Sequence, residues 1–169
     1  GEKDVGQYDR EDYVFGACAG AGIYRRDFFE QVGIFDEDFF IFAEDVDINM
    51  RGQLQGFKCI YLPEAKVYHI GTATVGLYSD RYIYLCKRND IFVLIRNYSL
   101  RMYFRYLWTI LKHQFNDIKY FTYRGQGIVL FKSKLDAFKM ILPMLLRRFK
   151  IQTSRTVPDS KIDPLIIKS

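Results

Sequence analysis

The chain has 169 residues, enough for one domain with a hydrophobic core of its own. Hydrophobic residues make up 49% of it and aromatic residues 17%, a composition that excludes wholesale disorder. Its three cysteines, Cys18, Cys59 and Cys86, lie far apart and form no Cys-x-x-Cys pair. This spacing argues against a disulfide scaffold or a zinc site and favours a reducing compartment.

Charge is distributed unevenly along the chain. Residues 1–100 carry 11 Lys and Arg against 16 Asp and Glu, a net charge of −5, whereas residues 101–155 carry 12 against 2, a net charge of +10. Basic residues interleaved with aromatic ones favour an anionic membrane surface or a nucleic acid as partner. We therefore expect two parts with different partners, residues 1–98 and a basic amphipathic helical region over residues 99–169.

The first elements surround a glycine-rich passage. The stretch YVFGACAGAGIYRR, residues 13–26, predicts a strand, a tight turn and a second short strand. RDFFEQVG predicts a short helix with Asp27 as a possible N-cap and Gly33 at its end. GAGIYR lacks the last glycine of the dinucleotide-binding fingerprint, so it indicates either close packing of a loop or a bare backbone that a sugar or phosphate approaches.

The next segment, FFIFAEDVDINMRGQLQG, places three acids directly after an apolar run. Apolar residues recur at Val46, Met50 and Leu54, which predicts a helix that ends at Gly56. Glu44 and Asp45 fall in its first turn, where the helix dipole favours carboxylates. A charged first turn explains them structurally, and a general base beside an apolar wall explains them functionally; both interpretations stay open.

Later segments predict two more strands and three helices. FKCIYLP is a strand stopped by Pro63, and AKVYHI is a second strand with His69 near its end. Helical patterns cover residues 79–98, 100–121 and 131–150, with Pro143 interrupting the most apolar stretch. No run of 18 apolar residues occurs, so we expect no transmembrane helix.

Three polar residues outside the acidic segment also have two interpretations. His69 is either a structural histidine or, with acids and glycines nearby, a metal ligand. Arg88 and Asn89 lie within a helix between apolar residues, where they either cap or face solvent, or anchor an anionic group such as a diphosphate. Asp47 can pair with Arg51 one helical turn later.

The order of these motifs resembles the acceptor half of inverting family 2 glycosyltransferases of the GT-A fold, an α/β fold, and especially rhamnosyltransferase-type enzymes that build surface polysaccharides. The resemblance covers residues 13–155 and rests on these matches: Gly20-Ala21, Arg25-Arg26, Val32-Gly33-Ile34-Phe35-Asp36-Glu37, Phe39-Phe40, Glu44-Asp45-Val46-Asp47-Ile48, Arg51, Gly56 and His69-Ile70-Gly71. The family's Asp-x-Asp motif belongs to an N-terminal half and is absent here, so the chain looks like the C-terminal part of a longer transferase.

The resemblance implies a role for each matching residue. Asp45 would be the general base that takes the acceptor proton, and Glu44 would orient the acceptor or the base. His69 would complete the coordination of Mg²⁺ or Mn²⁺ on the nucleotide diphosphate. Gly20 and Ala21 would line the sugar site. Beside the resemblance, three further residues are expected to bind substrate: Asp47, Arg51 and Arg88.

The expected partners are a nucleotide-sugar donor, a saccharide or polyprenyl-diphosphate-linked acceptor, and the inner face of the plasma membrane, reached from the cytoplasm. Three other functions compete. A glycoside hydrolase needs two separated carboxylates, whereas Glu44 and Asp45 are adjacent. A non-catalytic membrane-associated module is the alternative outside enzymes. Nucleic-acid binding ranks last, because no recognised nucleic-acid-binding motif accompanies the basic region. We therefore expect no nucleic-acid partner.

Overall fold

The structure, a computed structural model, describes residues 3–71 and 74–168. Its first half contains two short strands and two helices. In chain order these are β1 (Asp12–Val14), α1 (Arg26–Val32), α2 (Glu44–Leu54) and β2 (Cys59–Tyr61), with a 3-10 turn over Glu37–Phe39 before α2. The strands pair antiparallel with Asp12 opposite Tyr61 and Val14 opposite Cys59.

Helices make up the second half. They are α3 (Asp80–Asn97), α4 (Leu100–Tyr123), α5 (Gly127–Lys139), α6 (Ile141–Ser154) and α7 (Asp159–Lys168). Ser79 and Ser99 cap α3 and α4, since each hydroxyl accepts a hydrogen bond from a backbone N–H in the first turn. No helix of the described ranges is long and apolar enough to cross a membrane.

α3 is the central helix, and three apolar clusters join the other elements around it or beside it. The first, which links the segment before α2 to α3, α5 and α6, contains Phe39, Phe92, Val93, Ala137 and Met144. The second links α2, α4 and α7 through Met50, Leu54, Met102 and Ile162. The third lies between α3, α4 and α5 at Ile83, Phe121 and Leu130.

The α/β prediction holds only in a coarser form: helices dominate, and residues 3–71 and 74–168 contain one two-stranded sheet. The predicted strand AKVYHI is wrong: residues 65–70 are irregular and pair with neither β1 nor β2 of the described sheet. Val67, Tyr68 and Ile70 are exposed there instead. The second short strand expected before Arg26 is also wrong, since residues 21–25 are irregular.

Helix boundaries differ from the prediction at three places. Arg25, not Asp27, occupies the N-cap position of α1, and Asp27 lies in the first turn. The single helix expected over residues 131–150 is two helices, with Pro143 in the first turn of α6, where no intrahelical N–H is required. α7 was not predicted from the sequence. α2 and α3 are confirmed close to their expected ends.

Candidate active site

One face of α2 forms a ladder of hydrogen bonds to the segment that follows β1. Its three bonds, from the N-terminal end of the helix, are Ala19 N–H to Asp45 Oδ2 (3.2 Å), Asn49 Nδ2–H to Ala17 O (2.7 Å) and Gln53 Nε2–H to Phe15 O (2.8 Å). The helix residues are four apart and the segment residues two apart. Four helical residues advance about 6.0 Å and two extended residues about 6.6 Å, so the spacings nearly match.

The ladder requires the segment to approach α2 closely. A Cβ added at Gly16 would lie 2.2 Å from Cγ of Asn49, so only glycine fits there. The Ala21 N–H donates to Cys18 O at 2.9 Å, which turns the chain around Gly20. The backbone of the glycine-rich segment is therefore fixed directly beside the carboxylate of Asp45.

His69 lies on the other side of this turn. A Cβ at Gly20 would be 3.9 Å from Nε2 of the imidazole, which is ordinary contact distance. His69 is exposed, whereas Asp45 is half-buried and also accepts from the Val46 N–H at 2.8 Å. Four residues that the sequence analysis selected from three separate segments, Gly20, Ala21, Asp45 and His69, thus come together.

Glu44 lies in a less polar environment than Asp45. Its Oε2 is buried and has no hydrogen-bond partner among the described residues. Burial, and then the neighbouring charge of Asp45, raise the pKa of the Glu44 carboxyl above its usual 4.5. Burial and the charge of Asp45 likewise raise the pKa of Tyr24 to about 12, so this phenol stays protonated at neutral pH and can donate a hydrogen bond.

The chain enters α2 through a strained aromatic loop, defined here as residues 36–43. Its residues Phe40, Phe42 and Ala43 have φ values of 62°, 70° and 62°, a region that residues with a side chain rarely occupy. Each such residue costs about 1–3 kcal/mol, so the surrounding structure must hold the loop in place. The loop ends at Ala43, one residue before Glu44.

Two neighbouring residues of α3 hold this loop by its backbone. The Asn89 amide, which is fully buried, lies within hydrogen-bond distance of three loop carbonyls, those of Phe39 (2.9 Å), Ile41 (2.9 Å) and Phe42 (2.7 Å). Arg88 donates to Asp38 O at 2.8 Å and to Phe39 O at 3.2 Å. The structure therefore gives Arg88 the capping role that the sequence left open, and its guanidinium is engaged with the protein backbone.

The start of the aromatic loop is held by ion pairs. Asp36 pairs with Arg96 at 3.0 Å and with Arg147 at 2.6 Å. Burial opposes ionisation of Asp36, but the Asp38 N–H and the two guanidinium groups outweigh it and lower the pKa of this carboxyl. Arg147 also reaches Asp38, so α6 and α3 together fix the loop that leads to the acids.

Asp47 and Arg51, also expected at the substrate, face the protein interior. The fully buried Asp47 accepts from Arg51 Nε and from Asn97 Nδ2, both at 2.8 Å, and lies 3.5 Å from Arg96 Nε. Arg51 also donates to Val32 O, in the last residue of α1, and to Ile34 O just beyond it. A sugar could reach neither side chain unless the core opened, so their geometry is that of a buried joint between α1, α2 and α3.

The described residues do not by themselves form a metal site. Across residues 3–71 and 74–168, no three His, Cys, Asp or Glu side chains lie close enough together to hold an ion. His69 can supply one imidazole nitrogen, and a complete ligand set would need groups from elsewhere.

Sequence reasoning missed the residues that position the acids. Asn49 and Gln53 follow Asp45 at intervals of four, a polar stripe next to the apolar one that carried the helix prediction. That stripe was a usable signal. Asn89 was noticed only as a polar residue within an apolar helix, and the three carbonyls it contacts are 47 to 50 residues away in sequence. Tyr24 had no distinguishing pattern.

Comparison with known proteins agrees with the resemblance noted in the sequence. Residues 9–149 match the family described as Glycosyl transferase family group 2. The N-acetylglucosaminyl-diphospho-decaprenol L-rhamnosyltransferases of two Mycobacterium tuberculosis strains, CDC 1551 / Oshkosh and ATCC 25618 / H37Rv, are 33% identical to the chain over 87 residues. That alignment covers 46% of this chain and 27% of each relative.

The chain thus spans about a quarter of the length of the curated relatives it matches. No solved structure shows a significant match to it. The family match covers most of the chain, including the glycine-rich segment, the aromatic loop and α2. The chain belongs to glycosyl transferase family group 2, and its similarity to relatives within that family is to rhamnosyltransferases.

Proposed function

We propose that the complete protein transfers a sugar, with inversion, from a nucleotide-sugar donor to a saccharide or polyprenyl-diphosphate-linked acceptor, in the synthesis of a cell-surface polysaccharide. The described residues would form the acceptor side of a GT-A domain. One observation carries the proposal: the half-buried Asp45 carboxylate lies at the start of α2 and accepts from the Ala19 N–H of the glycine-rich segment, whose next residue, Gly20, lies beside the exposed His69. The acceptor class is taken from the decaprenol-linked substrate in the relatives' name.

The chemistry requires one base on the acceptor side. In an inverting displacement the acceptor oxygen forms the new bond to the anomeric carbon while the bond to the diphosphate breaks, and the electron pair leaves with the diphosphate. Asp45 would take the acceptor proton during this step. Its Oδ2 already accepts from one donor, the Ala19 N–H, so the geometry suits an oxygen that accepts hydrogen bonds from a hydroxyl.

Neighbouring groups would tune and orient this base. Burial raises the pKa of Glu44, and its buried Oε2 has no hydrogen-bond partner among the described residues, so Glu44 suits a hydrogen bond from an acceptor hydroxyl. Gly20 and Ala21 would present bare backbone to the sugar. Asp47, Arg51 and Arg88 take no part in this proposal, because each is committed to the protein interior or backbone.

A divalent ion, Mg²⁺ or Mn²⁺, would stabilise the leaving diphosphate when bound. His69 would contribute one ligand to it, and the remaining ligands would come from the nucleotide or from other parts of the complete protein. With a lipid-linked acceptor, the reaction would take place at the inner face of the plasma membrane.

The test is turnover by the complete protein with a nucleotide-sugar donor and a lipid-linked acceptor. Asp45→Asn keeps the shape of the side chain and an oxygen for the Ala19 N–H but removes the base. We expect it to lower kcat by at least about 10²-fold while donor binding is kept. Asp27→Asn, which alters a half-buried acid in the first turn of α1 that pairs with the exposed Arg25, is the matched control.

Two results would contradict the proposal. Near-normal turnover by Asp45→Asn would remove Asp45 as the base. An absence of turnover by the complete wild-type protein with every donor class, combined with intact folding, would favour the non-catalytic membrane-associated module.

A further inference from the structure

The C-terminal helices α4, α5 and α6 each expose a set of large apolar side chains. On α4 these recur every three or four residues at Phe104, Leu107, Trp108, Leu111, Phe115 and Ile118. Trp108 is 79% exposed and Phe104 78%, so the stripe does not pack against the rest of the described chain. Exposed apolar sets of this size on a soluble surface mark a binding face.

α5 and α6 repeat the arrangement. The exposed stripe of α5 is Ile128, Phe131, Leu135 and Phe138, and that of α6 is Leu142, Leu145, Leu146 and Phe149. Both helices already bury a different face, which carries Leu130 and Ala137 on α5 and Met144 on α6. α4 likewise buries Met102 and Phe121. The stripes are therefore additional to the faces that build the core.

Basic residues border each stripe on one side. At about 100° per residue, Arg101, Lys112 and Lys119 fall along one flank of the α4 stripe. Lys132 and Lys139 have the corresponding position on α5, and Lys150 on α6. An apolar stripe with a flanking row of Lys and Arg is the pattern of a helix that lies in the plane of a membrane surface.

We propose that the exposed stripes of α4, α5 and α6, together with their basic flanks, dock the protein on the headgroup region of an anionic bilayer. Charge complementarity selects this occupant, because residues 101–155 carry a net charge of +10. A second copy docked through the same surface would bring two such charges together, which opposes self-association. Spanning is unavailable to the described helices, so these side chains would insert only as far as the interface.

The structure also decides which basic residues a test should change. Arg147 pairs with Asp36 and Asp38, and Arg148 donates to carbonyls at the end of α3, Ile95 O at 2.9 Å and Tyr98 O. Replacing either one would loosen the aromatic loop or α3 and confuse the result. The flanking residues Arg101, Lys112, Lys119 and Lys132 are all exposed and avoid this problem.

The experiment is co-sedimentation of the complete protein with vesicles of phosphatidylcholine alone or with about one third phosphatidylglycerol. The wild type should bind the anionic vesicles, bind neutral ones far less, and lose affinity as salt rises. Changing Arg101, Lys112, Lys119 and Lys132 together to Gln should lower the affinity at least about 30-fold, since each basic residue near anionic lipid contributes severalfold. Changing Lys3, Arg10, Lys58 and Lys66 to Gln removes the same charge from the acidic half and should change binding little.

Trp108 gives a second readout that needs no charge variant. It is the single tryptophan of this sequence and lies in the α4 stripe, so its emission should shift to shorter wavelength and resist acrylamide quenching on anionic vesicles. The Trp108→Phe protein provides the reference spectrum for any tryptophan elsewhere in the complete protein.

Three outcomes would overturn the proposal. Equal binding to neutral and anionic vesicles would remove the role of charge. Absence of binding to both, with Trp108 already shielded in solution, would mean that another part of the complete protein covers the stripes. A dimer that dissociates when Leu111 and Phe115 are changed to Ser would make a second copy the occupant. The inference deepens the proposed location at the membrane, but vesicle binding requires no turnover, so either proposal can fail without the other.

Discussion

The two segments that flank Asp45 are built in opposite ways. On one side, the aromatic loop is held at five backbone carbonyl contacts by Arg88 and Asn89, and by ion pairs at Asp36. On the other, residues 62–71 lead to His69 with exposed side chains, and their described backbone bonds are local, such as Ala65 N–H to Leu62 O. The difference indicates that the start of α2 is held firmly by the protein, whereas the segment around His69 is left exposed. Under the proposed function, the base would be fixed in advance and the side that would face the diphosphate would stay open to a further partner.

The largest effect is expected from a substitution of Asn89, which holds the aromatic loop on the fixed side of Asp45. Asn89→Ala removes the amide donor of Ile41 O and Phe42 O and one of the donors of Phe39 O in a strained loop, and we expect a loss of about 2–3 kcal/mol in the free energy of unfolding. Because the loop leads directly into Glu44 and Asp45, kcat should also fall at least about tenfold, with a smaller change in KM. Urea unfolding and steady-state kinetics on the complete protein measure the two effects.

Asn116→Ala on the exposed surface of α4 serves as the control for Asn89→Ala and should leave both quantities unchanged. If Asn89→Ala lowered stability but kept full kcat at a temperature where the variant is folded, the aromatic loop would stabilise the fold without positioning Asp45 for catalysis.

The open side can be tested at His69. His69→Ala should leave stability unchanged, since the imidazole is exposed, and should raise the Mg²⁺ or Mn²⁺ concentration for half-maximal activity about tenfold. His113→Ala on α4, the other histidine of the sequence, is the control. An unchanged metal titration in His69→Ala would return this histidine to a structural role and would weaken the contrast between the two sides.

The smallest effect is expected from a substitution of Glu44, which lies where the aromatic loop meets α2. It tests whether burial on the fixed side of Asp45 alters the stability of the protein. Its raised pKa means that ionisation opposes folding: the penalty is full above the folded-state pKa, shrinks as pH falls through it, and is absent below the usual value of 4.5. Glu44→Gln should therefore raise Tm modestly at pH 7 and have less effect at pH 4. Glu37→Gln, at an exposed position of the same loop, should show no such pH dependence; an equal gain at both pH values for Glu44→Gln would argue against the burial explanation.

The local sequence pattern predicted secondary-structure elements better than it predicted tertiary contacts. Periodic apolar residues identified α2, and a helical pattern that begins at residue 79 identified α3. AKVYHI had the composition of a strand but pairs with neither strand of the described sheet, and strand pairing depends on the rest of the fold. In the same way, Asp47 and Arg51 were correctly expected to pair, yet their burial follows from Arg96 and Asn97, which approach from α3.

The sequence indicated candidate site residues where a residue type is tied to its chemistry. Glu44, Asp45 and His69 were selected from their types and positions as well as from the resemblance, and the structure brings the segments of Asp45, Gly20 and His69 together. Arg88 had two interpretations, and its carbonyl partners, which favour the structural one, lie about 50 residues away along the chain. Burial and long-range hydrogen bonds are properties of the packed structure, and no short pattern specifies them.

The ladder of hydrogen bonds between α2 and the glycine-rich segment joins two stretches of backbone whose steps differ slightly in length. A four-residue step of helix and a two-residue step of extended chain differ in length by about 0.6 Å. The bonds at Gln53 and Asn49 measure 2.8 and 2.7 Å, and the one at Asp45 measures 3.2 Å. The longest of the three bonds is therefore the one at the carboxylate. Under the proposed function, the Ala19 N–H would set the direction of this carboxylate, and the acceptor hydroxyl would approach the group that the ladder holds by its longest bond.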